Sequence, residues 1–207
     1  MALDLSTMRT AVRTRLGSPA TDGFFSDAQL NDLINEGLQA YATEHDWPWL
    51  EATETLTTSA GSAALSPSGT WTRTKGLIID GYDALEMVSL AELRGVPTTI
   101  RGVPRVYCIE QEAILLRPVP NAAYSVTHDY YKVEPELVGD ANQPLLPSQF
   151  RYAIIEYATY LAHLRAGQPG PAQAALSAYS QWIQRMRDNR RRSTSTIKVR
   201  VRPGGAL

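Results

Sequence analysis

The chain has 207 residues, 43% hydrophobic and 20% charged, the balance of a soluble globular protein rather than a disordered or fibrous one. Its apolar runs, such as GLIID at 76–80, fall far short of the roughly 20 residues that a membrane-spanning helix requires. The formal net charge of −1 conceals a split: from Arg185 onward the chain is +7, whereas the preceding 184 residues carry −8. A basic end on an acidic body predicts docking on nucleic acid or on an acidic protein surface.

The start, MALDLSTMRT, lacks the basic and apolar regions of a signal peptide, so no secretion by that route is expected. The first helix is expected between Asp4 and Gly17, with Ser6 as cap, Met8, Val12 and Leu16 on one face, and Gly17 just past its end. After a loop with Pro19, Asp22 and Gly23, Ser26 and Gln29 form a capping box. Leu30, Leu33, Ile34, Leu38 and Tyr41 then continue a helical stripe to about His45. Trp47-Pro48-Trp49 reads as a hydrophobic plug after this helix, or alternatively as an exposed interface anchor.

From 51 to 133 the period changes to that of strands, expected at Thr53–Thr58, Gly76–Ile79, Ala84–Leu90, Val103–Ile109, Ile114–Arg117 and Tyr124–Val133, with a helix over Ala84–Leu93 as the alternative to the third. Helical patterning returns near Leu146, with Phe150, Ala153, Ile154, Tyr157, Ala158, Leu161 and Leu164 on one face, and His163 off it. A last helix opening at Pro171 carries Ala175, Leu176, Tyr179, Trp182, Ile183 and Met186. Beyond it, Ile197, Val199 and Val201 alternate with Lys198, Arg200 and Arg202, the pattern of an edge strand with no partner nearby in the sequence. The fold class expected is thus α+β: a four-helix bundle of two N-terminal and two C-terminal helices, a β-rich insertion, and an extended tail. The corresponding domains are 1–50, 51–140, 141–189 and 190–207.

Residues that carry chemistry are sparse. His45, His128 and His163 have no second ligand at metal spacing, and no phosphate-binding glycine motif occurs. The lone cysteine, Cys108, excludes an internal disulfide framework, fits a chain made in a reducing cytoplasm, and reads as apolar filling in VYCIE. Glu110 and Glu112 read as the solvated tip of a hairpin rather than as paired catalytic carboxylates. No enzyme activity, cofactor or metal is expected. The hairpin has hard ends: Pro104 suits only a strand start or an unpaired edge, while Pro118 and Pro120 remove backbone donors. Arg190, Arg191 and Arg192 could bind phosphates or an acidic partner, or merely complement a helix end.

Over about residues 5–185 the order of motifs resembles the adaptor (head-completion, head–tail connector) proteins of tailed bacteriophages. The motifs are Arg15-Leu16-Gly17, Phe25 to Leu30 with Ile34-Asn35-Glu36, and Trp47-Pro48-Trp49. Gly102-Val103-Pro104 with Tyr107 follows, then Leu115 to Pro120, Tyr130-Tyr131, Pro135 and Leu137, and Leu145-Leu146-Pro147 with Phe150. Two places depart: Leu65-Ser66-Pro67-Ser68 stands where a direct Leu-Pro is expected, and nothing beyond Arg192 matches. The resemblance implies a virion protein at the head–tail interface, assembled in the host cytoplasm. Its copies would form a homo-oligomeric, dodecameric ring on the portal protein, extend the channel for double-stranded DNA without reading its sequence, and offer a surface to a downstream tail or stopper protein, with no membrane contact. The expected docking residues are Arg190, Arg191, Arg192, Lys198, Arg200 and Arg202, with a second interface on the hairpin at Pro104, Tyr107, Glu110, Glu112, Pro118 and Pro120. The alternatives are a nucleic-acid-binding accessory protein anchored by its arginine-rich end, or a tail-terminator or tail-tube protein.

Overall fold

A computed structural model of the chain describes residues 3–17 and 24–194, with the backbone alone for 191–194. In chain order the elements are α1 (Leu5–Leu16), α2 (Asp27–Glu44), β1 (Glu51–Thr57), β2 (Ala64–Leu65), β3 (Trp71–Ile79), β4 (Glu86–Met87), α3 (Leu90–Gly95) and β5 (Arg101–Gly102). They continue with β6 (Val106–Glu110), β7 (Ala113–Arg117), β8 (Val119–Pro120), β9 (Ser125–Lys132), α4 (Tyr152–Arg165) and α5 (Pro169–Thr194). The chain divides into two compact units, Met1–His45 with Pro135–Leu207, and Asp46–Glu134.

In the first unit α4 packs against α1, α2 and α5. The α1 cap is Asp4, whose carboxylate accepts from the Thr7 amide at 2.9 Å; Ser6, the residue expected there, instead gives its hydroxyl to Asp4. The Leu5 and Ser6 amides are satisfied by the carbonyls of Asn142 and Asp140, so the loop before α4 closes the helix start. Gly17 ends α1 in the left-handed region, φ 65°, where the lack of a Cβ removes the strain. The Ser26–Gln29 capping box is formed at the start of α2. The α2–α4 approach is close: a Cβ built on Gly37 would stand 3.1 Å from the Ile154 carbonyl oxygen. Arg151 is buried and donates to the carbonyls of Leu3, Pro144 and Leu146 and to the Gln143 side chain. One guanidinium thereby ties the chain's start to the loop that leads into α4.

In the second unit a three-stranded sheet, β1-β9-β3, and a four-stranded sheet, β2-β7-β6-β4, bury a shared core of Leu56, Leu77, Ile79, Tyr107, Ile114, Leu116 and Val126. Strand alternation explains it: Leu56, Val126 and Ile79 pair across β1, β9 and β3 and point to one side. A two-stranded parallel pair, β5-β8, completes the unit. Trp47 is fully buried and stacks on Trp49 at 5.0 Å.

The architecture corrects the fold class expected from the sequence. The described residues form five α-helices and three sheets in a mixed α+β fold, not a four-helix bundle with a β insertion. The additional helix, α3, begins at Leu90, the last residue of the strand expected over Ala84–Leu90, of which only Glu86–Met87 is strand. The sequence ALEMVSLAEL suits both periods, and the Ser89–Glu92 capping box settles it as two strand residues followed by a helical turn and a half. At the other end α5 runs on to Thr194, so residues 190–194 are helical rather than extended, and its start is Pro169 rather than Pro171. His163 and Leu164 exchange their expected places: His163 is buried and bonded through Nδ1 to Gln168 at 2.8 Å, while Leu164 is exposed. A partner at the helix end makes burial of the imidazole tolerable.

Candidate functional site

A buried polar cluster lies inside the second unit and joins residues that are remote in sequence. His128 on β9 is fully buried and stands directly opposite Glu54 on β1. Its Nδ1 is 2.9 Å from Glu54 Oε1, and its Nε2 is 3.0 Å from the Thr74 hydroxyl on β3. Ser68 donates its amide and its hydroxyl to the other Glu54 oxygen, at 3.2 and 2.6 Å. Burial disfavours the Glu54 charge, but the bonds from Ser68 and His128 outweigh it and hold the carboxyl below its usual range. An ionised Glu54 requires Nδ1 to donate, which leaves Nε2 to accept from Thr74. The order hydroxyl, imidazole, carboxylate is that of a nucleophilic triad, yet Thr74 is buried and lines neither of the two grooves described here. The cluster stitches three strands together.

The hairpin of the sequence analysis is formed by β6 and β7, joined by Gln111 and Glu112. Gln111 takes φ 56°, a left-handed turn conformation that glycine or asparagine usually supplies. Tyr107 and Pro104 are buried, Glu112 is exposed, and Glu110 pairs with Arg94 at 3.2 Å. β7 ends at Arg117, before Pro118; Pro120 sits in β8, where Gly102 opposite it is its register partner. Tyr107 therefore serves the core, and only the hairpin tip is offered outward. Cys108 is buried, and burial followed by the Glu110 charge pushes its thiol up, away from the reactive thiolate.

Beside the tip runs a groove of about 710 Å³, walled by residues 66–73 on one side and 109–113 on the other. Trp71, Ile109, Ala113 and Val133 supply apolar surface, and Glu110 and Glu112 line it as well. Sequence reasoning found the tip but missed the opposite wall, because that wall needs both the β3–β9 pairing, which sets Trp71 beside Val133, and the packing of that sheet against β6 and β7. A second, shallower groove of about 550 Å³ lies on α2, lined by Asp32, Glu36, Glu136 and Tyr157 among others. No group of three or more His, Cys, Asp or Glu able to hold a metal occurs among the described residues. No helix there is long and apolar enough to cross a membrane. Of the basic residues singled out, Arg190, Arg191 and Arg192 lie in the last turns of α5; Lys198, Arg200 and Arg202 lie outside the described residues.

The polar clusters of this mixed α+β chain bond inward, to its own strands and helix ends, and the groove beside the hairpin tip is lined by both apolar side chains and carboxylates. The chain belongs to the SU10 adaptor protein family, whose profile matches residues 3–202. This is a phage head–tail adaptor family, so the chain is a structural virion component. No curated protein matches it.

Proposed function

We propose that copies of this chain form a dodecameric ring beneath the portal protein, carry the DNA channel onward and present a surface to the next tail or stopper protein. The family match across residues 3–202 carries this reading. The chain's charge distribution supports it: the acidic body suits a channel wall along which a DNA backbone slides without adhering, and the basic end suits docking on a neighbouring protein. In this reading the chain is not an enzyme and needs no cofactor. Its contacts are made by Arg190, Arg191, Arg192, Lys198, Arg200 and Arg202 at the C-terminal end, and by the tip of the β6–β7 hairpin at Glu110 and Glu112.

Sedimentation velocity of the chain, alone and mixed with its portal ring at two salt concentrations, tests the reading. Adaptor function predicts a discrete, saturable particle with the portal. A chain that ignores the portal and instead binds any duplex DNA, with affinity falling steeply as salt rises, overturns it and leaves the arginine-rich end as a nucleic-acid anchor.

A further inference from the structure

We infer that the groove between β3 and the β6–β7 hairpin is the seat of the C-terminal segment of a neighbouring copy of this chain, residues Ile197 to Arg202. The inference rests on the ring reading and names the contact between adjacent copies. Three observations converge. The groove is lined by the apolar side chains of Trp71, Ile109, Ala113 and Val133 and by two carboxylates, Glu110 and Glu112. Glu112 is exposed and makes no hydrogen bond or ion pair among the described residues, and Glu110 holds only the exposed Arg94. The groove's cation, Arg73, is already engaged by Asp46 and lies over the Tyr131 ring, so it leaves the lining acidic.

The second observation is the occupant's pattern. Ile197, Val199 and Val201 alternate with Lys198, Arg200 and Arg202, so in an extended strand one side is apolar and the other cationic. Six such residues span roughly 20 Å. That matches a lining that offers both apolar side chains and carboxylates, which neither a uniformly basic nor a uniformly apolar segment would.

The third is backbone supply. β3 is an edge strand: β9 pairs with one side, and the other carries only the isolated Ile78–Ala84 bridge among the described residues. Its first residues, Trp71 to Arg73, wall the groove, and an added strand finds unpaired amides and carbonyls there. A contact between one copy's tail and the next copy's groove is head-to-tail. Contacts of that kind close into a ring in which every groove is filled and no tail is left over.

The test uses the full chain carrying Glu112→Cys with Arg200→Cys, oxidised mildly and run on a non-reducing gel. Seating in the next copy predicts a ladder of covalent dimers and higher species. It should exceed by roughly tenfold or more that of either single variant or of a Thr53→Cys, Arg200→Cys pair on the exposed face of β1, since docked thiols meet at a high effective concentration. A fast-migrating monomer locked within one chain overturns the inference, as does a yield no higher than the controls. Sedimentation of the same samples with the portal ring separates the two failures: portal-bound particles without the ladder discard the groove contact and keep the adaptor reading. A ladder without portal binding keeps the contact and discards the portal as partner.

Discussion

Single side chains in this protein matter chiefly through what they would leave unpaired. Glu54, with its carboxyl held below the usual range by Ser68 and His128, contributes stability at pH values above the unfolded carboxylate range and loses it as pH falls through its own lowered pKa. Thermal unfolding followed from neutral to acid pH should therefore show an acid limb that Glu54→Gln flattens. At neutral pH the same variant should cost about 1–3 kcal/mol, because glutamine offers one acceptor oxygen where the donors of His128 and Ser68 use two. Tyr179 is the opposite case: its hydroxyl is buried without a hydrogen bond and burial pushes its pKa up. Tyr179→Phe is expected to leave stability unchanged or raise it by about 1 kcal/mol, read as the midpoint of urea unfolding. Arg151→Met removes the donors to three buried carbonyls, of Leu3, Pro144 and Leu146, and to the Gln143 side chain, and should cost more than about 3 kcal/mol in the same assay. None of the three is visible as a pair in the sequence. Glu54 and His128 lie 74 positions apart and meet only through strand register.

At the scale of elements, local signals were readable where one physical rule acted without competition. The Ser26–Gln29 box and the Leu30-to-Tyr41 stripe obey capping and period together, and α2 follows them. They mislead where two residues or two periods compete. Asp4 outranks Ser6 as a cap because its carboxylate reaches the Thr7 amide, and ALEMVSLAEL divides between strand and helix. Strand pairs of two residues, such as β5 and β8, have no periodicity to reveal them. The α2–α4 contact turns on one glycine. Gly37→Leu adds bulk 3.1 Å from the Ile154 carbonyl and should destabilise the helical unit by about 1–3 kcal/mol through overpacking, despite leucine's better helix propensity. A rise in melting temperature for this variant would show that the helices can part there without loss.

For the molecule as a whole, the family was legible because the order of many weak motifs survives where each alone is common; the architecture was less so, because pairing between distant strands and the extent of α5 are not local properties. The candidate groove shows the same limit: its hairpin wall reads from prolines and glutamates, while its other wall exists only once β3 has paired. The β-rich unit has its own buried core, and residues 46–134 expressed alone are expected to give a cooperative thermal transition with near-ultraviolet dichroism from their tryptophans and tyrosines. A fragment without that transition would mean the core needs the helices.

One pairing carries a further consequence. Glu51 at the start of β1 lies opposite Tyr131 near the end of β9, so the polypeptide enters and leaves the β-rich unit through adjacent positions on neighbouring strands. A module plugged in through such a narrow stem is a cassette: lengthening, shortening or exchanging it shifts neither end of the stem. A fluorescent or affinity module can therefore be joined at that stem with both of its ends starting side by side.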